Sequence, residues 1–259
     1  MLCAINFDED WDNSNNRRHL YDYNYELIPA VYYSIAETGT HYYIMYCFYH
    51  ADDATHENDL EGCLLIIEKE DKLLGMISIA HFDFYSFVVD NRVQAGNETI
   101  DGDLYTEICN GEDHPMTKQE VNKHPFFAWG STSWKLPWIY GSKDKLGIRY
   151  YPANEAFTQD EFEVDSFNKT NFPYVLIDIL ETEGFWDKRD PQFNPMTFKS
   201  WGTFNSSTVG SAHAPWVWDD MNDDLHTGTI FFNPARIAYR YFSGFDQFDL
   251  NYTKVMSEK

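Results

Sequence analysis

Apolar positions along this chain come in short aromatic and aliphatic runs, separated by polar stretches rich in Asp, Asn and Gly. Residues 42–49 (YYIMYCFY) are too few for an ordinary helix and rich in strand formers, which predicts a strand covered on both faces. CLLIIEK and LLGMISIAHFDFYSF follow, with Glu70 and Asp71 between them, so residues 63–87 read as an antiparallel pair around a tight turn at the centre of a sheet. FFAWG (126–130), LPWIYG (136–141) and IRYYP (148–152) are further short strands punctuated by Gly and Pro. PYVLIDILETEGFW fits either an amphipathic helix, with Val175, Ile179 and Leu180 at helical spacing, or a strand beginning after Pro173. The polar stretch 90–123 reads as a long excursion carrying one short helix. The Asp run at 219–224 reads as a solvated loop. With no internal repeat and no linker rich in Pro, Gly or Ser, residues 1–259 are expected to form one domain. The fold class is mainly β, a single-domain β-sandwich with peripheral helices and long loops.

Charge changes the picture next. The chain has 259 residues, with 19 Lys and Arg against 42 Asp and Glu, a formal net charge of −23. Such a field repels phosphate backbones, so no nucleic-acid partner is expected, while the surplus carboxylates are hard oxygen ligands for divalent cations. Aromatics at 18% exclude a disordered chain. No apolar stretch approaches the ~20 residues of a membrane helix, so no transmembrane segment is expected. The amino terminus (MLCAINFDEDWDNSNN) lacks a basic stretch followed by an apolar one, which implies a cytoplasmic chain or a secreted one whose leader has been removed. Cys3, Cys47, Cys63 and Cys109 show no CxxC spacing; Cys47 and Cys63, inside apolar runs, read as small buried hydrophobes.

One segment carries candidate chemistry. HADDATHENDLEG lies directly between two apolar strands and contains Asp53, His56, Asp59 and Glu61. In an extended chain Asp59 and Glu61 point to the same side, and a turn over 53–58 folds Asp53 and His56 back towards them. Three carboxylates so gathered cannot all stay ionised without a compensating charge, and no Lys or Arg lies in the segment. The string H-x-x-D-x-E arises by chance roughly 0.06 times in a chain of this composition, so it is uncommon without being unique. A divalent metal ion, calcium, magnesium or manganese, is the expected cofactor, with Glu57 and His81 as outer-shell residues, the alternatives being a solvated acidic loop and, for His81, a fifth ligand or a core histidine bonded to backbone. His213, Trp216, Trp218, Asp219 and Asp220 form an aromatic and acidic cluster that reads as a loop packed on the core, and His124 reads as a satisfied loop histidine. No G-x-S-x-G elbow, GxGxxG or P-loop is present.

The string IMYCFYHADDATHENDLEG resembles the centre of the necrosis- and ethylene-inducing-peptide-like proteins, where an I-M-Y-A-W-Y-type strand and an acid precede G-H-R-H-D-W-E. Pro29, Ala30 and Val31 resemble that family's P-A-V segment, and SIAHFDFYS its S-A-H-S-G-Y stretch. The resemblance spans residues 27–87 and implies a secreted β-sandwich cytolysin whose metal is held by an Asp, a His, an Asp and a Glu. These correspond here to Asp53 or Asp52, then His56, Asp59 and Glu61. Leu60 and Asn58 stand where the family has Trp and a second His. HPFFAWGSTSW, PYVLIDIL with FWDKRD, and HAPWVWDD before FFNPA are similar to a related fungal family named for vacuolar protein sorting. The function implied is a divalent-metal-binding protein that takes a glycan or lipid headgroup through its ion. The alternatives are a metal-dependent hydrolase using the same residues and an intracellular protein with a structural ion. Oligomeric state is not set by the sequence.

Overall fold

The computed structural model describes residues 2–70, 72–80, 83–109, 112–119, 124–129, 148–152, 170–188, 213–221, 223–244 and 248–256. β-Branched and aromatic runs alternating with turn residues form β1 (Ala30–Thr38), β2 (His41–Asp52), β3 (Glu57–Glu68), β4 (Lys72–Ala80) and β5 (Asp83–Val88), an antiparallel meander. Short pieces follow: β6 (Gln94–Ala95), β7 (Gly102–Asp103), β8 (Thr106–Cys109), β9 (Glu112–Pro115), β10 (Thr117–Gln119) and β11 (Phe126–Ala128). β12 (Ile148–Pro152), β13 (Thr170–Asp178), β14 (Phe242–Ser243) and β15 (Tyr252–Lys254) complete the strands. Nine of them make one mixed sheet in the order β12-β13-β1-β2-β3-β4-β5-β7, with β15 also pairing β1. The fold is mainly β, with few and short helices.

Alternation along the strands sends side chains to two cores. On one face Tyr43, Met45, Cys47 and Tyr49 of β2, Leu60, Leu64 and Ile66 of β3, and Ile77 and Ile79 of β4 are buried in a cluster with Trp216, Phe231 and Ile237. Helix Pro234–Tyr241 contributes to that cluster with Ala235, Ile237, Ala238 and Tyr241. On the other face Cys63, Leu65, Met76 and Phe87 pack against Phe126, Phe127 and Ala128 of β11, which pairs with β10. Phe48 stacks on Phe126 with ring centres 4.4 Å apart, so this small sheet lies directly over β2 and β3.

Several expectations resolve here. β2 is not covered on both faces: Tyr42, Ile44, Tyr46 and Phe48 are only part-buried, because the small β10–β11 pair shields that side incompletely. The strands enclosed from both sides are β3, whose residues 57–66 are all buried, and β4, whose residues 74–80 are. The undecided segment is a strand, β13, because its Val175 and Ile177 pair in parallel with Ala30 and Tyr32 of β1. In the excursion 90–123 the described residues form short strands and no helix. Within the acidic run Asp220 is buried and accepts a hydrogen bond from the Tyr241 hydroxyl, so that loop is not wholly solvated. Trp216 and Trp218 are packed in the core as expected. Residues 136–141 and His81 lie outside the described residues. Among the described residues no helix is long and apolar enough to cross a membrane.

Candidate metal centre

β2 and β3 are joined by a four-residue turn, Asp53 to His56, closed by the Asp53 amide donating to the His56 carbonyl at 2.9 Å. The Asp53 carboxylate accepts bonds from the Thr55 amide and hydroxyl, both at 2.7 Å, the side-chain mimicry of a turn that Asp at this position favours. Past the turn the register is regular: Asp52 faces Glu57, His50 faces Asp59 and Phe48 faces Glu61. Because Phe48 stacks on Phe126 and His50 on His124, Asp59 and Glu61 share the β11 face of the sheet.

His124 arrives from above, at the start of the segment that leads into β11. Its Nδ1 lies 2.8 Å from Asp59 Oδ2, and its ring stacks on His50 with centres 3.8 Å apart and planes 4° from parallel. His50 Nε2 in turn lies 3.0 Å from Gln119 Oε1, and the Gln119 amide donates to the His124 carbonyl at 3.2 Å. His124 is held at φ 52°, a conformation rare for residues other than glycine and found most readily where surrounding contacts fix it.

One ligand atom each from Asp53, Asp59 and His124 lie within 4.8 Å of one another, and all three residues are buried. Atoms bonded to a common ion at about 2.0–2.6 Å are separated by no more than about 5 Å, so these three residues are within reach of one shared divalent cation. Asp53, Glu57, Asp59 and Glu61 are exposed by only 4–5% each. The donors are two hard carboxylates and one imidazole, a mixture open to several divalent cations.

Of the residues singled out from the sequence, Asp53 and Asp59 are in this cluster. His56 is beside it, with Nε2 3.7 Å from Asp53 Oδ1 and its other ring nitrogen 3.3 Å from the Glu57 carbonyl. Glu61 is buried one pleat further along the same face of β3, and Glu57 is buried next to the turn. His124, given no role on sequence grounds, is the third member. Its only signal was its place ahead of an aromatic strand.

No family model matches the chain, and no curated protein matches it. Among solved structures the neighbours are necrosis and ethylene inducing proteins. Necrosis and Ethylene inducing Protein 2 from the causal agent of cocoa's Witches Broom disease is 14% identical with TM-score 0.25, covering 39% of this chain and 45% of that one. A toxin fold for microbial attack and plant defense is 18% identical with TM-score 0.22, covering 33% of this chain and 43% of that one. NLPPya in complex with mannosamine gives the same identity, 18%, and the same TM-score, 0.22, over 33% of this chain and 43% of that one. This chain thus spans less than half the length of each. TM-scores of this size fix neither fold nor activity, and these neighbours lend no support to the resemblance to the vacuolar-sorting family.

Proposed function

We propose that the chain is a divalent-metal-binding protein in which Asp53, Asp59 and His124 hold the ion, with His56 and Glu61 beside them as the further ligands read from the sequence. The observation that carries this is the convergence of those three buried donors within 4.8 Å. An ion so held is only partly coordinated by protein, and its remaining positions suit oxygens of a glycan or lipid headgroup. Hydroxyl or phosphate oxygens would then enter a strongly acidic molecule through a positive centre, which offsets the repulsion of a chain carrying −23. The reading is of a binding module acting in the manner of necrosis-inducing cytolysins.

Calorimetric titration with MnCl2, CaCl2 and MgCl2 tests the ion. The intact protein is expected to bind one equivalent of at least Mn2+. Asp59→Asn is expected to raise Kd by about 100-fold or more, beyond the 10–100-fold typical of outer-shell changes. Equal affinity in the two proteins rejects the site. Sedimentation with vesicles carrying glycosylated headgroups tests the ligand: binding that needs Mn2+ and is abolished by chelator supports it, and binding indifferent to chelator rejects it.

A further inference from the structure

We infer that the N-terminal segment positions this centre through Asn58, so that docking of the segment and ion binding are coupled; the inference rests on the metal reading above. Asn58 sits between Glu57 and Asp59 in β3, yet its backbone has φ 60°, in the left-handed region that an L residue inside a strand avoids. Asn is among the few residues that tolerate it. Such a conformation persists only where its surroundings dictate it.

The surroundings are the N-terminal segment. Asn58 is fully buried, and its amide donates to the Asn13 carbonyl at 2.7 Å. Its Oδ1 accepts from the Tyr49 hydroxyl at 2.5 Å. Burial pushes the Tyr49 hydroxyl well above the ordinary tyrosine range, so it stays protonated and keeps that donor. The same hydroxyl accepts from Asn16 Nδ2 at 2.8 Å, and Asn16 also donates to the Ile5 carbonyl at 2.6 Å. Asn58 therefore turns its side chain into the N-terminal segment while Asp59, the next residue, faces His124 across the sheet.

Other ties run to the same hairpin. Leu2 bridges to His50, whose ring stacks on His124, and the Cys3 amide donates to the Tyr49 carbonyl at 3.2 Å. Asp52, opposite Glu57, accepts from Arg17 Nε at 2.8 Å and from the Tyr21 hydroxyl at 2.6 Å. Residues 50, 52 and 58, each adjacent to or paired with a residue of the centre, and Tyr49, bonded to Asn58, are thus held from the N-terminal side. A coupling of this kind is reciprocal: if the docked segment favours the ion, the ion favours the docked segment.

Two variants and one exchange measurement test this in the full chain. Asn58→Gly accepts φ 60° freely but loses both side-chain bonds, and Tyr49→Phe removes only the hydroxyl. Each is expected to raise the Kd for Mn2+ by about 10–100-fold, as loss of an outer-shell orienting group does. In the wild type, Mn2+ is expected to slow amide exchange across residues 5–20, and in Asn58→Gly to leave it unchanged. Folded variants that bind Mn2+ with the wild-type Kd overturn the inference while leaving the metal site standing. Wild-type protein that binds no Mn2+ overturns both, and is seen before any variant is made. Should Asn58→Gly fail to fold, Tyr49→Phe and the exchange data decide alone.

Discussion

At the scale of single residues, burial and pairing set which carboxylates respond to acid. Burial alone would raise the Asp90 pKa, but hydrogen bonds from Lys72 and Arg92 outweigh it and hold the group at about 2, below its ordinary 3.8. The folded-state value lies below the unfolded one. Asp90 therefore contributes stability that is complete above pH ~4 and is lost as pH falls towards 2. Asp90→Asn is expected to lower stability at neutral pH and to flatten that acid limb, read as urea midpoints at pH 5 and pH 3; an unchanged acid limb contradicts the assignment. Glu98 runs the other way, raised by burial and by the charges of Asp220 and Asp223, so protonation there partly offsets the loss. Asp53 and Asp59 were legible in the sequence through acids gathered between two apolar strands, the H-x-x-D-x-E spacing and the family resemblance, with Asp52 as the alternative to Asp53. His124 was not legible, since what gives it chemistry is a contact with Asp59, 65 residues away in sequence, and that contact depends on β11 docking over β3.

At the scale of elements, the hairpin β2–β3 was readable from apolar runs broken by an acidic turn, and β4 followed in the same way. What the sequence left open depended on partners distant in the chain. β13 is a strand because β1 offers it a parallel edge, and β6 exists because Phe242 and Ser243 pair with Ala95 and Gln94. No local propensity encodes such pairings. Gly62, next to Glu61 in β3, marks the point where the sheet accepts Trp218: a Cβ there would lie 2.2 Å from the Tyr46 carbonyl and 2.7 Å from the Trp218 ring. Trp218 is itself fixed by its indole N–H donating to the His213 carbonyl at 2.9 Å. Neither backbone nor indole can yield cheaply, so Gly62→Ala is expected to cost about 1–3 kcal/mol in urea unfolding with an unchanged slope. A variant as stable as wild type would show that this contact is slack.

At the scale of the whole molecule, charge and the candidate centre belong to one argument. A chain at −23 folds against its own repulsion, and the described structure buries four acids of one hairpin at a single end of its largest sheet. The mainly β class was legible because strand-forming runs outnumber helical ones, while the two-sided covering of β3 was not, since it needs Trp216, Phe231 and the helix Pro234–Tyr241 on one face and β11 on the other. The account stands on Asp53, Asp59 and His124 sharing an ion. The most direct measurement is an anomalous difference map from crystals grown in excess Mn2+. The account predicts one strong peak about 2.0–2.6 Å from a carboxylate oxygen of Asp53, one of Asp59 and a ring nitrogen of His124. A map without that peak, in which His124 still bonds directly to Asp59, contradicts it.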